Sequence, residues 1–283
     1  MTLPPMPCRW QDLTTEDFHH LPPDTVAILP TAAIEQHGPH LPVSVDTVIN
    51  EGLVARAVTA LEGAPVLLLP TLCVGKSDEH VHFPGTLALD WKTTVELWRH
   101  VGLSVARAGV RRLLILNSHG GQVPIIHVVS RQLRIEAGLF ATAVHWPALW
   151  SGKPELGREE EVHGIHGGQV ETAMMLHLAP HLVKMEKARN FRSWGADLDD
   201  RFGLLKPEGA VGFGWMSEDL NPAGALGDAA AATAELGAAI VDEVGARVAA
   251  LVQELRQIDL SRLDGAWQAS GLSQRRPLPE AAE

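Results

Sequence analysis

The sequence predicts an α/β fold in which a mainly parallel sheet carries helices on both faces. Three observations lead there. Four short apolar runs, at 26–29, 65–69, 111–116 and 139–145, are spaced along the chain with helical patterns between them. Strand, loop and helix in repeated succession is the pattern of parallel pairing, because each parallel neighbour needs a crossover. The chain has 283 residues, 46% of them hydrophobic, enough for one large domain with a substantial core.

The first run, Val-Ala-Ile-Leu, reads as a buried strand that stops at Pro30. The loop behind it cannot wind into a helix, since Pro39 and Pro42 remove backbone donors and push Gly38 and Leu41 toward extended conformations. Asp46 opens a helix to about residue 61, with Ile49, Leu53, Val54, Val58 and Leu61 on one face and Gly63 past its end. The second strand is closed by Pro70, and the loop after it carries Asp78, Glu79, His80 and His82. Residues 91–108 read as a helix ending at Gly109. The third strand runs directly into Asn117, Ser118, His119, Gly120, Gly121 and Gln122. A helix follows over 123–137, with Pro124 in its first turn.

The fourth strand ends at Trp146 and Pro147. A glycine-rich loop then holds His163 and His166, with Glu171 near the start of a helix. Residues 184–228 show little periodicity and many Gly and Pro; so long a segment inside a domain usually covers a site or meets another subunit. An alanine-rich helix spans about 229–256. One domain over residues 1–271 is expected, with a disordered tail over 272–283.

Ligands of such sheets bind beyond the carboxyl ends of the strands. Here each polar cluster follows a different strand: Glu35, His37, His40 and Asp46, then Glu79 and His80, then His119, then His166 and Glu171. Four loops therefore open on one rim. Residues two apart in an extended segment share a side, so Glu35 and His37 aim at one point. Imidazoles with carboxylates suit a divalent transition metal, zinc, manganese or iron. Simpler roles exist for each residue. Asp46 suits a helix N-cap, Glu171 a first-turn acid, and His119 the end of a strand before an anion-binding helix start. Glu79 and His80 suit the rim of the site, beside substrate or behind a ligand. Trp146 and Trp150 suit the wall of a flat cyclic substrate or, equally, the core.

Composition excludes several classes. The net charge is −11 and the Lys and Arg residues are scattered, which argues against nucleic acid and for a small-molecule substrate. Cys8 and Cys73 are too few for a disulfide framework or a thiolate zinc site, which fits a reducing, cytoplasmic setting. The N-terminus lacks the pattern of a signal peptide, and no apolar run is long enough to span a bilayer. Without any tyrosine, a tyrosine acid is excluded. Ser118 lacks the Gly-x-Ser-x-Gly setting of a hydrolase nucleophile.

The motifs EQHGPHLPVSVD, EHVHFPGT, NSHGGQ, HGGQVET and GALGDAAAATAELG together resemble the creatininase (creatinine amidohydrolase) family over roughly residues 25–255. The resemblance implies a three-layer α/β/α sandwich with a divalent-metal site, often of two metals, and hydrolysis of C–N amide bonds, frequently in cyclic compounds. It implies Glu35, His37, Asp46 and His119 as ligands, Asp46 as the bridge, Glu171 as the carboxylate completing the site, and His166 in proton transfer. It also implies a homo-oligomer, commonly a hexamer. Creatinine-hydrolysing members carry a glutamate where this chain has Gly121, and tend to an acid where it has Ile165, so the resemblance points away from creatinine itself. The family further includes formamide hydrolases, a maturation peptidase for a peptide-derived redox cofactor and a ring-opening hydrolase of a keto-inositol.

The chemistry follows from the residue types. A metal in such a site lowers the pKa of bound water toward ~7 and polarises a carbonyl, and an imidazole can then protonate the leaving nitrogen. His166 suits that last task, because it shares a loop with Glu171 without being needed as a ligand. Two rivals are a metal-dependent isomerase or lyase of keto-sugars and a non-catalytic metal-binding module. The second is disfavoured, since structural sites are normally closed by Cys and His.

Overall fold

Residues 26–31 are buried at every position, and they form the centre of the sheet. The structure is a computed structural model that describes residues 5–209 and 211–263. In chain order it begins β1 (Cys8–Arg9), β2 (Val26–Thr31), α1 (Val45–Ala60), β3 (Val66–Leu68), α2 (Trp91–Arg107), β4 (Arg112–Asn117), α3 (Val123–Ala137) and β5 (Phe140–His145). These five strands make one parallel sheet in the order β1-β3-β2-β4-β5. Then follow α4 (Arg158–His163), α5 (Gln169–Leu178), β6 (Asn190–Phe191), α6 (Trp194–Arg201), α7 (Ser217–Leu220), β7 (Gly227–Asp228) and α8 (Ala234–Gln257). Strands β6 and β7 form a separate antiparallel pair.

Alternate residues of the two central strands serve opposite faces. Val26, Ile28, Leu114 and Leu116 pack with Ile49 and Leu53 of α1, Met174 of α5 and Val244 of α8. Ala27, Leu29, Leu113 and Ile115 pack with Trp98 of α2 and with Val129 and Leu133 of α3. The expected three layers, helices on each side of a parallel sheet, are present.

Some boundaries differ from the sequence reading. Strand β2 does not stop at Pro30 but continues through Thr31, which pairs with Asn117. Proline is tolerated there because its missing N–H would point toward β3, which has already ended at Leu68; the Pro30 carbonyl still accepts from Leu72 N at 3.0 Å. Asp46 is not the N-cap of α1: Ser44 holds that place, and Asp46 lies in the first turn. The alanine-rich helix begins at Ala234, where the Thr233 hydroxyl accepts from Leu236 N at 3.2 Å.

The segment 184–228 contains β6, α6, α7 and β7, and Leu226 bridges to His166, so its far end borders the glycine-rich loop. Its Phe191 is buried, while Trp194, Phe202 and Leu204 are exposed. The domain limit expected at 271 and the tail beyond it lie outside the described residues. Among the described residues no helix is long and apolar enough to cross a membrane, and both cysteines are free.

Candidate metal centre

The loop between β2 and α1 is tied at its base by Glu35 N–H on the Val43 carbonyl, 3.0 Å. Glu35, His37 and Asp46 then offer ligand atoms that all lie within 4.8 Å of one another. Asp46 faces two ways. Its Oδ1 is 3.4 Å from His37 Nε2, and its Oδ2 is 3.7 Å from His119 Nδ1. Glu35 Oε1 stands 3.0 Å from His119 Nδ1, and Glu171 Oε1 stands 3.8 Å from His37 Nε2. Asp46 thus stands between two sets of side chains, with Glu35 and His119 near one of its oxygens and His37, next to Glu171, near the other.

These atoms lack ordinary partners. Glu35 Oε1 and Oε2, His37 Nε2 and Asp46 Oδ2 are buried without an aligned hydrogen bond. Buried polar atoms are nearly always satisfied, so a cluster of four that are not points to a missing external group. A divalent cation matches carboxylates interleaved with imidazoles, which fits the donor set present. Glu171 keeps 16% side-chain exposure against 0–1% for Glu35, His37 and Asp46, so the centre opens on its side.

Main-chain carbonyls fix two of the rings. His37 Nδ1 lies 3.1 Å from Glu35 O, which can only accept, so Nδ1 carries a proton and Nε2 is the nitrogen aimed at Asp46 and Glu171. His166 Nε2 lies 2.6 Å from Gln36 O, so its Nδ1 is the free base, 3.6 Å from Glu35 Oε1. The Gln36 amide is oriented by Gly38 N–H on Oε1 and by Nε2–H on the Gly224 carbonyl, both at 2.8 Å. Its second Nε2 hydrogen then goes to His80 Nδ1 at 2.8 Å, and the His80 Nε2–H faces Glu35 Oε1 at 3.6 Å. The His80 ring stacks on His166, centroids 4.1 Å apart.

Electrostatics reflect the crowding. Burial opposes charge on His37 and His119, yet carboxylates outweigh it, chiefly Glu171 for the first and Glu35 for the second, and raise both well above the usual imidazole range. Burial, reinforced by the neighbouring Glu35 charge, pushes Asp46 up to about 7. Burial also holds His166 well below the ordinary value, helped by His80 and His37, so the ring is neutral and Nδ1 carries no proton.

All five expected ligands, together with His166, Glu79 and His80, come together. Glu79 Oε1 is 3.0 Å from His119 Nε2, and its Oε2 meets Lys76 Nζ at 2.5 Å. His166 also falls within reach of a cation, grouped with His37 and Glu171 and with Glu35 and His80. The two tryptophans are not brought into this group: Trp146 is buried in the core cluster between the sheet and α1, α5 and α8, and Trp150 packs against it. The apolar environment after β5 wins over a place beside substrate.

Several supporting residues were not foreseen. Asn117 Nδ2 donates to His119 O at 2.6 Å, and Ser118 Oγ donates to Asp46 O at 2.8 Å, so the end of β4 holds the first turn of α1. Glu160 accepts from Gln169 N and Asp228 N, both at 2.7 Å, and so fixes the start of α5 and with it Glu171. Gln36 lies between two expected ligands in sequence, a position that was its one visible signal; Glu160 had none.

The family profile described as creatininase, creatinine amidohydrolase, matches residues 11–252. This chain belongs to the creatininase family. Its hydrolase relatives include a mycofactocin precursor peptide peptidase of Mycobacterium ulcerans (strain Agy99), 30% identical over 249 residues, 84% of this chain and 90% of that one. A creatinine amidohydrolase of Pseudomonas putida is 32% identical over 181 residues, covering 58% and 68%. A solved manganese creatininase superposes with TM-score 0.69 at 26% identity, covering 88% of this creatininase-family chain and 99% of the other.

Proposed function

We propose that this chain is a divalent-metal-dependent amidohydrolase that cleaves a C–N amide bond with water. One observation carries the reading: buried, unpartnered Glu35, His37 and Asp46 atoms facing His119 and Glu171 on the two sides of one shared carboxylate. Glu35, His119 and Asp46 would hold one ion, and His37, Glu171 and Asp46 a second, zinc, manganese or iron by donor type. A bound divalent ion supplies a water acidified toward ~7 and a polarised carbonyl.

The protein's own residues do the rest. His166 keeps Nε2–H on Gln36 O, which leaves Nδ1 to take a proton from the attacking water and return it to the leaving nitrogen. His80 and His37 flank that ring and hold its plane.

For the substrate, a small cyclic amide or a formamide suits the family. A peptide is the second reading, favoured by the peptidase relative, which matches more of this chain than the creatinine amidohydrolase does. An apolar cleft of about 320 Å³ beside His37, lined by Leu41, Val43, Phe83 and Pro84, has room for a side chain. Screening cyclic amides, formamides and short peptides, with mass detection of added water, separates these from a keto-sugar isomerase, which adds none. His166→Ala should keep its metal per chain and lose turnover by roughly 10²–10⁴-fold. A metal-free His166→Ala, or one with parent turnover, overturns the role.

A further inference from the structure

His37 and His166 each rest one ring nitrogen on a main-chain carbonyl, which fixes the nitrogen left for chemistry. His119 has no such carbonyl. Its Nδ1 faces Glu35 and Asp46, and the group against its Nε2 is the Glu79 carboxylate, 3.0 Å away. Nε2 is buried and makes no aligned hydrogen bond, to Glu79 or to any other described group, so the 3.0 Å approach of that carboxylate is its one close polar contact among the described residues.

Two glycines make that approach possible. A Cβ on Gly121 would overlap Glu79 Oε1 and would stand 2.6 Å from His119 Nε2. The carboxylate of residue 79 therefore fills the volume that a side chain at 121 would claim. In return, a Cβ on Gly75 would overlap the Gln122 amide, which donates to Ala32 O at 3.0 Å and to Lys76 O at 3.3 Å. The loop carrying Glu79 and the loop carrying His119 thus interlock, each glycine admitting the other loop's polar side chain. Behind the carboxylate, Lys76 binds Oε2 at 2.5 Å and holds it in place.

We infer that Glu79 is the positioning residue of His119: it accepts Nε2–H and so commits Nδ1 to the metal. Carboxylates behind ligating imidazoles fix tautomer and ring orientation, and their loss typically lowers metal affinity 10–100-fold. The inference rests on the metal reading of the site, and makes Gly121 part of the same device. A methyl group at 121 would displace the Glu79 carboxylate and would also press on His119 Nε2, 2.6 Å from the added carbon.

The experiment measures metal per chain and affinity, by competition with a chromophoric chelator using zinc, in the full-length protein and its variants. Imidazole ¹⁵N spectra of the zinc-loaded protein report which ring nitrogen is metal-bound. In the parent, His119 should bind through Nδ1 with a protonated Nε2. Glu79→Ala should keep the metal count but bind 10–100-fold more weakly. Glu79→Gln should recover most of that affinity, because its amide oxygen still accepts. Gly121→Ala should weaken binding at least as much as Glu79→Ala does, because its methyl displaces Glu79 and crowds the His119 ring as well. Parent affinity in Glu79→Ala, ligation through Nε2, or a lost metal equivalent in Glu79→Gln, which would make Glu79 itself a ligand, each overturns the inference. A parent chain that binds no zinc, manganese or iron instead overturns the metal reading beneath it. Glu79→Gln keeps the shape of the side chain, so it remains informative if the alanine variant fails to fold.

Discussion

Strand β4 carries a buried polar group at each end, and the two ends are treated in opposite ways. At its start, Arg112 gives Nε to Leu255 O and Nη1 to Pro23 O, both at 2.8 Å, and Nη2 to Ile258 O at 3.0 Å. Its charge is clasped by carbonyls that belong to the fold. Beyond its other end, His119 meets Glu35 and Asp46, whose oxygens include buried atoms with no aligned donor. Satisfied buried polarity ties the chain together; unsatisfied buried polarity costs stability unless something else binds. The first kind is architecture and the second marks the place of work.

Asp46→Asn breaks this contrast most sharply. The variant should lose its metal and its turnover together, because that carboxylate stands between both sets of side chains. The metal-free variant should nevertheless melt higher than the metal-free parent, since burial and Glu35 already disfavour the Asp46 charge. Metal analysis and thermal melts in chelator check both halves. A lower melting temperature would place Asp46 among the structural groups.

Arg112→Leu probes the other end. It strands three carbonyls and should lower unfolding free energy by about 3 kcal/mol in urea titrations. Metal per folded chain should stay at the parent value. Loss of metal without loss of stability would reverse the two roles.

His40 lies between these cases, and its effect is the smallest. Its Nε2 meets Thr172 Oγ1 at 2.9 Å and its ring stacks on Phe191, while Nδ1 has no partner. Burial, with the nearby His37 charge, pulls it down to about 4. The unfolded chain, titrating near ~6.5, then binds the proton more readily between those values, so stability falls as pH drops through that window. Relative to His40→Gln, the metal-free parent should lose about 1 kcal/mol more between pH 7.5 and 5.5. Equal slopes would mean that His40 binds its proton as readily in the folded chain as in the unfolded one.

How much of this was legible depended on whether a residue's chemistry is local. Glu35, His37, Asp46, His119 and Glu171 could be singled out because ligand types followed the ends of separate apolar runs, and strand ends of a parallel sheet share a rim. Asp46 looked like a cap as much as a ligand; only the position of Ser44 in the folded chain separated the two. Glu160 could not be found, because its partners Gln169 and Asp228 meet it only after α5 and β7 come together. Trp146 was undecidable for a related reason: burial after β5 depends on α8, far along the chain. Pro30 misled because its effect on a strand depends on where the neighbouring strand stops.

The acceptors that orient His37 and His166 are peptide oxygens, and no amino-acid replacement can delete a peptide oxygen. Mutation can reach those two rings only by moving the chain. One half of the centre is therefore buffered against single-codon change. An experimenter evolving this protein toward another leaving group should find graded changes around His119 and His80, whose surroundings are supplied by the side chains of Glu35, Glu79 and Gln36.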